Sequence, residues 1–340
     1  MILFSILNPS TVLRTGFRFS IARCNGKHIV RVMVALLLAL CVPAEAQQPK
    51  IVHRIGYLSS TNSRAFSEGL RDLGYVEGNN LLIIRPSAEK APAASAAELV
   101  HLKVDVIVTG GASVTRAAKE ATSAIPIVFL QDPDPVGNGL VTSLARPAGN
   151  ITGLSSMTVD LTGKRLDLLR EVLPKLSRLA VLGQSANAAN GIQLRETERT
   201  AERLGMQLQY LDILSVKDVE TAFREASKER AEAVFVFSGP VFNPQPTLLV
   251  QYAAKSRLPT AYPRSEFVEQ GGLMSYGVNR ADLDRRAAMY VDKILKGVKP
   301  GDLPVEQGKK FEFIINLKAA KQIGLTIPPN VLARADRVIK

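Results

Sequence analysis

The sequence predicts an α/β protein of two similar lobes, each built on a parallel sheet with helices on both faces. Three observations predict it. From His53 onward, short β-branched apolar runs alternate with helix-period segments of ten to fifteen residues, the pattern of a sheet covered by crossover helices. That βαβαβ succession occurs twice, although no motif repeats clearly enough to establish duplication. The 294 residues that follow the first 46 also exceed one ordinary domain and suit two lobes of about 120–150 residues each.

The first 46 residues are set aside from the fold. Lys27 and Arg31 precede the apolar run Val32 to Val42, which ends in Pro43-Ala44-Glu45-Ala46. A basic segment, a short apolar core and an A-x-A site describe a secretory signal peptide cut after Ala46. The apolar run is too short to span a bilayer of about 30 Å as a helix. A lipid anchor at Cys41 is disfavoured, because Leu40 stands where a small residue is wanted. Both cysteines, Cys24 and Cys41, lie in this leader. The remainder is expected to have no disulfide, thiolate chemistry or cysteine-bound metal. It keeps 38 Lys and Arg against 30 Asp and Glu, a formal charge of +8. These charges are interspersed, without the basic stripe and interleaved aromatics of a nucleic-acid surface. No nucleic-acid partner is expected.

In the first lobe, His53 to Leu58 reads as a strand. Phe66, Leu70 and Leu73 then mark one face of a helix ended by Gly74. Leu81 to Ile84 is the second strand, and Ala93 to Lys103 a helix with Ala96, Leu99 and Val100 inward. Val104 to Val108 is the third strand, joined through Thr109-Gly110-Gly111-Ala112-Ser113 to a helix ending at Ala121. Ile125 to Leu130 enters as a buried strand through Pro126, which needs no ladder partner there. It delivers the polar loop Gln131-Asp132-Pro133-Asp134-Pro135, at the sheet edge where open α/β folds bind ligands. Leu140, Val141 and Leu144 suggest a helical turn or two before Arg146-Pro147, and Ala148-Gly149-Asn150 a turn into the strand at Ile151.

The pattern then repeats. A helix over Asp160 to Leu173 leads to a strand at Leu179 to Gly183, and Leu194, Thr197, Ala201 and Leu204 mark the next helix. Gln207 to Ile213 is a strand, Val219, Ala222, Phe223 and Ala226 a helix face, and Ala233 to Phe237 a strand. A helix over 245–256 and strands at 259–262 and 273–276 complete the run. Helix 281–296, stopped by Gly297, precedes short strands at Leu303 to Val305 and Glu312 to Ile315, and a helical tail from Leu317. The expected division is 1–46 signal peptide, 47–155 first lobe completed by part of 278–300, and 156–277 second lobe completed by part of 301–340.

Catalytic signatures are missing. His53 and His101 belong to no H-E-x-x-H or metal cluster, and a solvated or structural role is favoured for both. There is no G-x-S-x-G elbow, phosphate loop or G-x-G-x-x-G fingerprint; Gly137-Asn138-Gly139 is a weak signal. No enzyme, metal or cofactor is expected. Small polar and glycine residues instead gather at the ends of predicted strands, where N–H groups opening each helix face the ligand side. Strand-to-helix turns are commonly rich in Ser and Gly, so the set carries more weight than any member. The candidate ligand-binding residues are Ser60, Thr61, Gly111, Ala112 and Asp132 from the first lobe, with Ser185, Ser238, Tyr262 and Tyr276 from the second. Tyr57, Tyr262 or Tyr276 would cover an apolar part of the ligand.

Longer motifs carry a resemblance. Asp134-Pro135-Val136-Gly137 with Gly139-Leu140-Val141, and the block from Ser143 to Gly153, are similar to the tryptophan/tyrosine-type ABC transporter substrate-binding family. So are Ile55-Gly56-Tyr57-Leu58, Gly69 to Asn80, Lys164 to Glu171 and Gly324-Leu325-Thr326-Ile327-Pro328-Pro329. The resemblance covers nearly all of the chain after the leader. It implies a type I periplasmic binding protein: two Rossmann-like α/β lobes joined by a hinge, with a small ligand in the cleft. It further implies a periplasmic monomer that hands an amino acid or related small carboxylate to an ABC permease in the inner membrane. A sensory module presenting its ligand to a membrane receptor is the alternative. Two departures stand out: Ala148 replaces a glycine common in that turn, expected to matter little, and Asp132-Pro133 is an unusual pair beside the cleft.

Overall fold

The computed structural model describes residues 51–59, 62–87 and 90–340. The expected signal peptide and the candidates Ser60 and Thr61 lie outside the described residues. Strands β1 (His53–Leu58), β2 (Leu81–Ile84), β3 (Val106–Thr109), β4 (Ile127–Asp132) and β5 (Ile151–Ser155) form a parallel sheet in the order β5-β4-β3-β1-β2. Helices α1 (Arg64–Asp72), α2 (Pro92–His101) and α3 (Ala112–Ala121) connect its strands. A sheet covered on both faces has no polar side, which is why these strands read as unbroken apolar runs. In β3, Val106 and Val108 face one core with Phe66 and Leu70, while Ile107 faces the other with Leu99 and Ala118.

The second sheet repeats the plan with β6 (Arg178–Gly183), β7 (Gln207–Asp212), β8 (Ala233–Val236), β9 (Thr260–Tyr262) and β10 (Met274–Val278) in the order β10-β9-β8-β6-β7. Its helices are α4 (Thr162–Val172), α5 (Ala188–Arg203), α6 (Asp218–Lys228), α7 (Pro246–Lys255) and the short α8 (Ser265–Glu269). Val181 and Phe235 face one core, and Ala180, Leu182, Val234 and Val236 the other. Among the described residues no helix is long and apolar enough to cross a membrane.

The chain then returns. Helix α9 (Arg280–Leu295) lies on the first sheet, where Leu283, Ala287 and Val291 join Phe66 and Leu70 in one core. Its seat is close: a Cβ on Gly69 of α1 would lie 2.9 Å from Ala288 Cβ. Strand β11 (Glu306–Gln307) extends the first sheet beside β5. Strand β12 (Phe311–Asn316) pairs antiparallel with β10 in the second, and β13 (Arg337–Ile339) closes that edge after α10 (Leu317–Gln322) and α11 (Pro329–Leu332). The chain therefore passes between the sheets after β5, after β10 and after β11. These crossings touch: Gly308 N–H donates to Ser155 O (3.1 Å) and Asn279 N–H to Lys310 O (2.8 Å).

Several local expectations fail for physical reasons. Strand β4 runs on through Gln131 and Asp132, because Asp132 pairs with Ser155 and its carbonyl accepts Ser156 N–H (2.8 Å). Leu140, Val141 and Leu144 form no helix; Gly139, at φ 67°, turns the chain, and Leu140 and Val141 fill the core as single anchors. Leu303 and Val305 are buried but unpaired as strand, the ladder beginning at Glu306. Leu73 is the C-cap of α1 and is exposed. Ala148 takes φ 62°, ahead of Gly149 at φ 66°. A left-handed alanine costs roughly 1 kcal/mol relative to an unstrained residue, so that departure has a structural cost.

Candidate functional site

The two sheets point the ends of their strands at a cleft of about 770 Å³ lined by both lobes. On the first lobe the turn after β3 supplies Gly110 to Ser113. Gly111 is the N-cap of α3 at φ 124°, a conformation that L side chains rarely adopt, and a Cβ there would meet open space. No side chain caps this helix, so its first N–H groups are available on the cleft side. Tyr57, at the end of β1, also lines the cavity; burial and then the nearby Asp284 push its phenol up.

On the second lobe the turns after β6 and β8 are held by one another. Asn190 of α5 accepts Gln184 N–H (2.8 Å) and donates to Ser238 O (2.9 Å). Gln184 Oε1 accepts Val241 N–H (3.2 Å), and Asn187 caps α5 through Ala189 N–H (3.2 Å). Gln184, Asn187 and Ser238 all line the cavity.

The charges cluster beside the crossings. Arg264 follows β9, Glu266 opens α8, and Arg280 is the first residue of α9. Both guanidiniums grip the same carboxylate oxygen, Arg264 Nη2 at 2.6 Å and Arg280 Nε at 2.7 Å from Glu266 Oε1. Burial pushes the Glu266 carboxyl up, but Arg280 and Arg264 together outweigh it and hold the group at about 2. One turn into α9, Asp284 is almost fully buried and accepts Ser63 Oγ (2.6 Å) and Gln131 Nε2 (2.7 Å). Arg116, one turn into α3, also lines the cavity and donates to Asn138 O (3.2 Å).

Of the residues expected from the sequence, Gly111, Ala112 and Ser238 line the cavity. Asp132, Ser185, Tyr262 and Tyr276 do not. Asp132 is fully buried behind the wall; its Oδ1 accepts Asp134 N–H (2.9 Å) and Asn138 Nδ2 (2.8 Å). Burial raises its carboxyl to about 6 against those hydrogen bonds. Ser185 is exposed and spends both N–H and Oγ on Asp212 (2.7 and 2.6 Å). Tyr262 is sealed in the second-lobe core, stacked on Phe267 at 4.8 Å, and Tyr276 stacks on Phe311 at 6.3 Å. The cleft receives instead the residues just beyond these tyrosines, Pro263 and Arg264 after Tyr262, and Val278 and Arg280 after Tyr276. Their available signal was position at or just past a strand end; the side chains of Tyr262 and Tyr276 themselves pack in the core.

Two doubly wound lobes facing a polar cleft, joined by strand crossings, are the architecture of a type I periplasmic binding protein. The chain belongs to the ABC transporter substrate binding protein family, whose model matches residues 59–339. It is 25% identical over 266 residues to a tyrosine-binding protein of Clostridioides difficile strain R20291, covering 77% of this chain and 76% of that one. It is 28% identical to the crystal structure of a conserved domain protein from Vibrio cholerae, with TM-score 0.78 and coverage of 84% of this chain and 99% of that one. An ABC domain from Streptococcus pneumoniae in complex with L-Trp shares the fold at 24% identity, TM-score 0.76, covering 85% and 100%.

Proposed function

We propose that this protein is an extracytoplasmic solute-binding protein that captures a small ligand, an amino acid or related small carboxylate, and delivers it to an ABC permease. The observation that carries this reading is the cleft: polar and glycine-rich turns from both lobes line one cavity beside touching crossings. A ligand that contacts both walls favours the closed arrangement by its extra contacts there, and closure presents a distinct shape to a permease. The chain works as a monomer in the periplasm, after removal of the leader. The tyrosine-binding relative supports an amino acid as the ligand class.

A thermal-shift screen of the purified protein against amino acids, small carboxylates and sugars tests the reading. Ligand at a hundredfold over its dissociation constant adds about 2.7 kcal/mol to stability, a rise of several degrees in Tm. A rise confined to amino acids or carboxylates supports the proposal. A flat response to that whole class, or a response to sugars alone, overturns the ligand class.

A further inference from the structure

The charges on the cleft wall carry a narrower reading, which rests on the function proposed above. Arg264 and Glu266 belong to the second lobe, whereas Arg280 heads a helix packed on the first. The Glu266–Arg280 pair therefore ties the lobes together beside a crossing. Two guanidiniums share this one carboxylate, and among the described residues no other acceptor is paired with either of them. With Asp284 one turn along α9 from Arg280, the two guanidiniums and two carboxylates balance, and the guanidinium side chains are only 14% and 26% exposed. A carboxylate accepts about four hydrogen bonds, and a guanidinium donates five, so unused donors remain to meet a second anion.

The rest of the wall continues this chemistry. Asp284 receives one donor on each oxygen and keeps acceptor capacity for an ammonium. Arg116 adds a third guanidinium, so the charged residues that line the cavity, counted with Glu266, carry a surplus of one positive charge. Aromatic surface is scarce: among the described residues that line the cavity, Tyr57 is the sole aromatic. An indole or phenol side chain would find little to stack on, while a second carboxylate would find a cation.

We propose that the cleft selects an acidic α-amino acid, one carboxylate taking the Arg264–Arg280 pair, the ammonium taking Asp284 and the second carboxylate meeting Arg116. In the ligand-free protein Glu266 stands in for the ligand's anion, and the ligand competes with it for Arg280.

Isothermal titration of the purified protein with glutamate, aspartate, glutamine, tyrosine and tryptophan tests this. Glutamate or aspartate should bind at least tenfold more tightly than glutamine or either aromatic amino acid. Arg280→Met should weaken the acidic ligand at least thirtyfold. Glu266→Gln should tighten it several-fold, because the competing anion is gone; a merely structural role for the cluster predicts weakening in both variants. Far-ultraviolet circular dichroism of each variant reports folding, and the ligand ranking of the unmodified protein stands even if a variant fails to fold. Tightest binding of tyrosine or tryptophan, or weakened binding in Glu266→Gln that is folded, overturns this inference and leaves the solute-binding function intact. Absence of binding to every amino acid and carboxylate overturns both.

Discussion

The cleft has two kinds of wall, and they are built differently. The strand-end turns after β3, β6 and β8 offer backbone N–H groups, small residues and amides fixed by neighbouring amides, with Gly111 and Asn190 as the residues that set their shape. The wall beside the crossings offers charge: Arg264, Arg280 and Asp284, with Glu266 and buried Asp132 behind it. The first kind of wall shapes a pocket at little electrostatic cost. The second concentrates partly buried ions, which are expensive unless paired and are therefore sensitive to loss of one partner. Affinity that depends on ligand charge belongs to the second wall, and fit belongs to the first.

The largest expected effect tests the cost of charge behind the crossing wall. The Asp132 carboxyl is raised in the folded protein from 3.8 to about 6. The folded state thus favours the neutral acid, and stability fully present below about pH 4 is lost as pH rises through 6. Two units correspond to about 3 kcal/mol as an upper figure. Asp132→Asn should match the unmodified protein near pH 4 and exceed it by up to that amount at pH 8, measured by urea unfolding at both. An advantage of equal size at the two pH values would remove the ionisation as its cause.

A smaller effect is expected from the shape-setting wall. Gly111→Val places a β-branched residue at φ 124° and projects it toward the cleft, costing about 2 kcal/mol of stability. Ligand affinity should fall at least tenfold. Unchanged affinity with lowered Tm would show that this turn shapes the lobe but not the site.

Next comes the support of the charged wall. Asn279 caps α9 by accepting Asp282 N–H (2.9 Å), immediately before Arg280. Asn279→Ala should cost about 1 kcal/mol and weaken ligand binding by loosening the start of the helix that carries Arg280 and Asp284. Lost stability without any change in titration would detach the cap from the site. Smallest is Tyr262→Phe, which keeps the stack on Phe267; stability should move by less than about 1 kcal/mol, and titration should give the same dissociation constant within twofold. A larger loss of affinity would return Tyr262 to the site.

Much of the fold was legible because each lobe buries its strands on both faces. Val106 to Val108, Leu179 to Gly183 and Ala233 to Phe237 are apolar for that reason, and the helices between them keep one apolar face. The tail was harder. Glu306-Gln307 is a two-residue strand with no hydrophobic signature, and only pairing with Leu154 and Ser155 makes it one. The site divided along the same line. Gly111, Ala112 and Ser238 line the cleft as expected of small residues at strand ends, where a turn needs glycine and small side chains wherever it lies. Tyr262 and Tyr276 lie off the cleft lining, because aromatic residues near a strand end suit a pocket and a core equally well.

By itself the sequence determined the alternation of strands and helices, the two successive α/β units and the family, since local propensity, periodicity and motif need no partner from elsewhere in the chain. Only the tertiary structure decided which charges meet. Arg264 and Glu266 belong to the start of α8 and Arg280 and Asp284 to α9, and their convergence depends on α9 leaving the second sheet to pack on the first. That packing is set by Ala288 against Gly69 and by Leu283, Ala287 and Val291 against a core laid down some 200 residues earlier. Glu266 and Arg280 are close in sequence, but that they meet across the lobes is a property of this long-range burial, which no local pattern displays.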